Sequence, residues 1–173
     1  MKGAIISCLK ELVVSKAGKE KWNEIMLASN QNPMTPIYSN SDVPDAEAMN
    51  IVKQTCNILN ISLIEAADAF GDYWVNNFAA RIYQAYYMGR KSAKDFILQM
   101  NDVHERVTKN IENSSPPKFS YQWETDKILY FTYHSNRGLI DFVVGLLKGV
   151  GRYYKENLKV TKLSDTIVEI VFE

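Results

Sequence analysis

The adjacent prolines Pro116 and Pro117 divide this 173-residue chain into two regions with different hydrophobic periods. Proline lacks an amide proton and restricts the residue before it, so a Pro-Pro pair ends any helix that reaches it. Ahead of the pair, apolar residues recur at helical spacing, beginning with Ile5, Ile6, Leu9, Leu12 and Val13. Beyond it, FSYQWE and KILYFTYHS are rich in β-branched and aromatic residues, with the acidic ETD between them as a turn. Residues 138–155 return to helical spacing, and LKVTKLSDTIVEIVFE reads as two short strands about a polar turn. A helical lobe followed by strand–strand–helix–strand–strand predicts an α+β fold, with helices segregated to one side of an antiparallel sheet.

Within the first two thirds, residues 3–15 and 19–28 carry helical periodicity on either side of Gly18. Pro33, Pro36 and Pro44, set among Asn and Ser, predict a loop. Helical pattern resumes at Asp45 and runs through Met49, Val52, Cys56 and Leu59. Ser62 with Glu65 forms a capping box that opens a helix carrying AADAFGDYWVNNFAARIY. Ser92 with Asp95 opens a third, which places Phe96, Met100, His104, Val107 and Ile111 on one face.

Charge and cysteine content narrow the function classes. Twenty basic residues balance 20 acidic ones, so nothing electrostatic favours nucleic acid or a membrane surface. The N-terminal apolar run is broken by Lys10 and Glu11, and no stretch reaches the length of a membrane span. A cytoplasmic location is expected. Cys8 and Cys56 are too few for a disulfide framework and read as reduced thiols; their spacing supports no zinc site with the two histidines.

Those two histidines bound the search for a metal ligand. His104 sits on the apolar face of its helix, four residues after Met100 and three before Val107. A core histidine bonded to backbone accounts for this position, and so does the single neutral imidazole that a buried haem requires. His134 lies at the end of a strand in which alternation puts Tyr133, Ser135 and Arg137 on one face. Two hydroxyls and a guanidinium suit a dicarboxylate ligand, and they equally suit a solvated strand end.

Taken together, these segments resemble one family. MKGAIISCLKELVVSKAGKEKW, FGDYWV, NDVHERVTK, SSPPKF, YHSNRG and FVVGLLKG, in this order, are similar to the H-NOX domain, the haem-nitric oxide/oxygen binding relatives of the haem domain of soluble guanylate cyclase. The Tyr-x-Ser-x-Arg triplet is the most specific of these motifs, and the resemblance covers essentially the whole chain. It implies one H-NOX domain over residues 1–173, with an N-terminal helical lobe at 1–62 and a haem-holding lobe at 63–173. His104 would be the proximal ligand of a haem b (iron protoporphyrin IX), with Met100 beside it. Tyr133, Ser135 and Arg137 would hold the propionates, and Pro117 would press on the macrocycle. Ile5, Leu9, Trp74, Phe78, Phe142 and Leu146 would line the distal side.

The same resemblance bears on the gas. Oxygen-binding members use a distal tyrosine, and the matching residue here is Phe142, which has no proton to donate. Leu9 and Phe78 add none, while Trp74 has one indole N–H. Nitric oxide, with carbon monoxide, is therefore the expected ligand, and a haem-based nitric oxide sensor the expected function. An oxygen-binding H-NOX sensor and a haem protein without a sensing role are the alternatives. A haem enzyme would want a polar distal acid or base, which the assigned residues lack, and the intact His104 and Tyr133-Ser135-Arg137 set argues against an interaction module that has lost its cofactor. The expected partners are an effector such as a histidine kinase, a cyclic-di-nucleotide enzyme or a chemotaxis receptor.

Overall fold

The computed structural model describes residues 3–109 and 115–173. The chain forms two compact units, Met1–Ala66 and Ala67–Glu173.

The first unit is helical. Helix α1 (Gly3–Ala28) is two helical stretches joined at the expected break, Gly18, whose φ of 88° and ψ of 166° are not helical. The proline-bearing segment separates it from α2 (Asp45–Leu59), which closes on Asn60 in the left-handed conformation. α1 and α2 pack together, and Ile6, Cys8, Trp22, Ile25, Ala48 and Ile51 are buried. Helix α3 (Leu63–Tyr73) begins at the Ser62–Glu65 box. Its geometry is reciprocal: Ser62 N donates to Glu65 Oε2 at 2.8 Å, and Glu65 N donates to Ser62 Oγ at 3.2 Å. The division between the units falls inside this helix, after Ala66.

In the second unit the helical pattern is broken more often than the sequence suggests. A π-helical turn, Trp74–Phe78, follows α3, and two short helices, α4 (Ala79–Ile82) and α5 (Gln84–Tyr87), come after it. Asn76 supplies a reason for the wider turn. Its Nδ2 donates to Asp72 O, four residues back, at 3.1 Å and to Gly149 O at 3.2 Å. A side chain that takes up the Asp72 carbonyl competes with the helical ladder.

The expected third helix is two helices, α6 (Ala93–Leu98) and α7 (Met100–Thr108). Ser92 caps α6 as predicted, accepting from Asp95 N at 3.0 Å. The break falls at Gln99, whose φ of −102° and ψ of 6° leave the helix and whose N–H bonds three residues back to Phe96 O at 3.3 Å. The single apolar face is thereby split: Phe96 is buried on α6, whereas no described residue of α7 is fully buried. Ile111, placed on that face from sequence, lies outside the described residues.

Strands β1 (Lys118–Trp123) and β2 (Ile128–His134) form the expected hairpin, and β3 (Leu158–Lys162) and β4 (Ile167–Phe172) the second. The sheet is wholly antiparallel in the order β1-β2-β4-β3. Leu129, Phe131, Tyr133, Val168 and Ile170 point inward, and α6 and helix α8 (Ile140–Tyr154) share their core with Phe96, Ile97, Val143, Leu147 and Val150. This is the α+β arrangement that the switch in periodicity at the diproline predicts. α8 approaches α3 closely enough to exclude side chains: a Cβ on Gly145 would lie 2.1 Å from Ala67 O, and one on Gly71 2.1 Å from Gly145 C. Lys148 pairs with Asp68 and Arg152 with Asp72 along the same contact.

Candidate functional site

His104 lies on α7, half-buried, with its ring 5.4 Å from that of Phe119 on β1. Nδ1 faces the Pro117 carbonyl at 3.5 Å, longer than a normal hydrogen bond. Burial pushes the imidazole below its usual pKa, and the Pro117 carbonyl opposes that shift only in part. The ring is therefore neutral at neutral pH. With the proton on Nδ1, where a carbonyl receives it, Nε2 keeps its lone pair, and no described residue bonds Nε2. Thr108 Oγ1 donates to the His104 carbonyl at 2.6 Å, one turn along.

β1 and β2 link this histidine to the triplet. Phe119 pairs with Tyr133 in the register of the hairpin, with ring centroids 6.2 Å apart. Tyr133 is 3% exposed. The triplet differs in one respect from the strand face expected of it. β2 ends at His134, so Ser135 and Arg137 sit in the turn that leads to Gly138, where φ is +63°. Only Tyr133 faces inward by strand alternation. Ser135 Oγ accepts from Arg137 N at 3.4 Å, and Arg137 Nη1 donates to Ser115 O at 2.8 Å, which ties the turn back to the diproline. The other histidine, His134, points to the exposed face, with Nε2 2.8 Å from Ser120 Oγ.

A second, apolar group lies on α3, the π-helical turn and α8. Trp74 stacks on Phe70 at 5.7 Å and on Phe78 at 5.3 Å, and Phe70 meets Phe142 edge-on at 5.5 Å. Trp74, Met100, Phe119 and Leu146 all pack against the one core of the second unit. Ile5 and Leu9, the remaining residues assigned to the distal side, belong to α1 in the first unit, Leu9 buried and Ile5 partly so. Among the described residues no group of three or more His, Cys, Asp or Glu gathers as a metal site, and no helix is long and apolar enough to cross a membrane.

Sequence reasoning passed over Phe119, the aromatic link between His104 and Tyr133, although alternation from Lys118 onward already puts Phe119, Tyr121 and Trp123 on the inner face. It also passed over Asn101, which bonds the backbone of β1.

The model of one protein family, Haem-NO-binding, matches residues 2–162. The chain belongs to the haem-NO-binding family. Its members are haem-binding gas-sensor domains. Solved H-NOX structures match over 100% of this chain: a Cs H-NOX mutant at 22% identity, 97% of its own length and a TM-score of 0.90; an H-NOX protein from S. oneidensis in the Fe(II)NO ligation state at 22%, 99% and 0.88; and an oxygen-binding H-NOX domain related to soluble guanylate cyclases at 22%, 95% and 0.86. No curated protein sequence matches.

The residues of this H-NOX fold suit the haem that the family binds. A haem requires one neutral imidazole nitrogen, hydrogen-bond donors for two propionates, and apolar walls. His104 offers an Nε2 that no described residue engages, and Tyr133 a phenol on the neighbouring hairpin. Arg137 and Ser135 add donors at the same strand end, and Trp74, Phe142 and Leu146 add apolar surface.

Proposed function

We propose that the chain is a haem-based nitric oxide sensor that works as one domain over residues 1–173, with His104 Nε2 as the proximal ligand of a haem b. The observation that carries this reading is the setting of His104: a neutral imidazole whose second nitrogen meets only a distant carbonyl, with its ring beside Phe119, the residue that pairs with Tyr133. When bound, the haem would supply an iron able to take a diatomic gas.

His104 is a weak ligand by construction. A proximal histidine gains basicity when its other nitrogen donates to a carboxylate or a close carbonyl. Here that contact is 3.5 Å long and ends on a neutral amide, so Pro117 would add little to the strength of the imidazole as a ligand. Loss of the His104 bond would let α7 pivot about its Asn101 attachment to β1, since no described residue of α7 is fully buried. Tyr133, Ser135 and Arg137 would hold the propionates, and Pro117, just before β1, would press on the macrocycle. The gas can drive this shift only by binding the two arrangements with different free energies. The displaced surface is what an effector reads, a histidine kinase, a cyclic-di-nucleotide enzyme or a chemotaxis receptor, and the protein is a cytoplasmic switch with no catalytic role.

Selectivity follows from Phe142, which presents a phenyl ring where a hydroxyl would stabilise bound oxygen. Nitric oxide and carbon monoxide need no such donor. One observation favours an oxygen-binding sensor instead: Trp74, which carries an indole N–H, stacks on the Phe70 that meets Phe142. Exposing the ferrous protein to air separates the two. The nitric oxide reading expects no stable oxygen spectrum in the wild type and its appearance in Phe142→Tyr. A persistent oxygen spectrum in the wild type, lost in Trp74→Phe, would establish the second reading.

A further inference from the structure

Strand β1 lies at one edge of the sheet. An edge strand carries outward N–H and C=O groups that no neighbouring strand meets. At Phe119 both are met by one side chain. Asn101 Nδ2 donates to the Phe119 carbonyl at 2.8 Å, and Phe119 N donates to Asn101 Oδ1 at 2.9 Å. Across the hairpin, the N–H of its partner Tyr133 donates to Thr166 O at 2.7 Å, away from β1. The carboxamide of Asn101 thus stands in for a missing strand, with donor and acceptor in the order a neighbouring backbone would present.

The position of that side chain matters. Asn101 is three residues before His104 on α7, so the two lie on neighbouring parts of one helix face. Its two bonds reach the residue whose ring packs on His104. They close an 18-residue span that contains His104 and the diproline. The other bond across this span, from His104 to Pro117 at 3.5 Å, is too long to hold the helix. Burial does not hold it either, because no described residue of α7 is fully buried.

We propose that Asn101 is a positioning residue for His104, clamping α7 to β1 so that a released imidazole stays at high effective concentration near the iron. The proposal rests on the reading of His104 as proximal ligand. Two such hydrogen bonds hold a tethered ligand about tenfold or more in favour of its bound position. Removing them leaves the ring on a helix that swings more widely, so recapture after release slows by the same factor.

The test compares Asn101→Ala and Asn101→Asp with wild type, using Tyr130→Phe as a control. Tyr130→Phe deletes a hydrogen bond of the same hairpin (to Glu124 Oε2, 2.6 Å) and leaves the clamp intact. Asn101→Asp keeps an acceptor for the Phe119 amide and loses the donor to its carbonyl, so it carries the test if the alanine variant fails to fold. Three quantities are read: amide exchange at Phe119 in protein without haem, the iron–imidazole stretching band of the ferrous form, and the rate at which imidazole returns to iron after nitric oxide is removed. The proposal expects Phe119 exchange at least about tenfold faster in Asn101→Ala, a shifted or broadened band in both Asn101 variants, and recapture slowed about tenfold, with wild-type values in Tyr130→Phe. If both Asn101 variants keep the wild-type band and recapture rate while melting earlier, the clamp is structural only and the proposal is overturned. His104→Gly separates the underlying reading. Loss of the band there, with unchanged Asn101 variants, rejects the clamp alone; a retained band rejects both.

Discussion

Replacing Gly145 by alanine tests the closest contact in the fold. The new Cβ would lie 2.1 Å from Ala67 O and 2.7 Å from Ala67 C. Nonbonded heavy atoms attract at about 3.5–4.0 Å, so α3 and α8 must separate by more than an ångström. The obstruction is backbone, and no rotamer relieves it. Overpacking of this kind costs about 1–3 kcal/mol and at times more, whereas alanine in place of a helical glycine returns about 1 kcal/mol. Separation also weakens the Asn76 bond to Gly149 O, while the exposed Lys148–Asp68 and Arg152–Asp72 pairs contribute little. The expected net loss is about 2 kcal/mol, a fall in Tm of roughly 4–8 °C for a chain of this size. Gly149→Ala, with its nearest contact at 2.6 Å, should lose less. Thermal and urea unfolding followed by circular dichroism measure both. A Gly145→Ala protein as stable as its parent would refute the close crossing of α3 and α8.

Ser62→Ala removes the hydroxyl that accepts from Glu65 N and donates to Glu65 Oε2, leaves the backbone half of the capping box in place, and should lower stability by about 1 kcal/mol in urea unfolding. Burial pushes Tyr121 and Tyr154 up to about 12 and raises Tyr87 further. The folded state therefore holds these protons more tightly than the unfolded chain. Their contribution is complete below the ordinary phenol pKa of about 10 and is lost as pH rises through the folded values. A spectrophotometric titration should show these phenols ionising late and stability declining above pH about 10; normal ionisation of all tyrosines near 10 would contradict the packing. Arg137→Ala should speed transfer of haem to an acceptor apoprotein about tenfold or more, as loss of a charge-assisted bond requires, with α-helical content unchanged. An unaltered transfer rate would remove Arg137 from the propionate site.

Fold class was legible because Pro116 and Pro117 separate two periods that no single secondary structure satisfies. Both capping serines were legible as well, since Ser62 and Ser92 act through residues three positions away. The breaks at Trp74–Phe78 and at Gln99 were not. Asn76 reaches Gly149, 73 residues on, and Gln99 ends α6 without a glycine or proline. Periodicity reports neither: the first depends on a tertiary partner, and the second leaves the apolar spacing from Phe96 through Met100 to His104 unchanged. Part of the site shows the same limit. Tyr133 faces inward as alternation predicts, but Ser135 and Arg137 are aimed by the turn before Gly138 rather than by the strand. Asn101 was invisible for a further reason: its value lies in the unpaired backbone of an edge strand, and a sequence does not announce which strand is at the edge.

The most direct measurement is the absorption spectrum of the ferrous protein, wild type and His104→Gly, with and without added imidazole and then with nitric oxide. Wild type should give a five-coordinate ferrous spectrum that nitric oxide converts to a form without the iron–imidazole bond. His104→Gly should lose the wild-type spectrum and regain it on addition of imidazole. A His104→Gly protein that keeps the wild-type spectrum with no imidazole present would show that another residue ligates the iron, and the account built on His104 would fail.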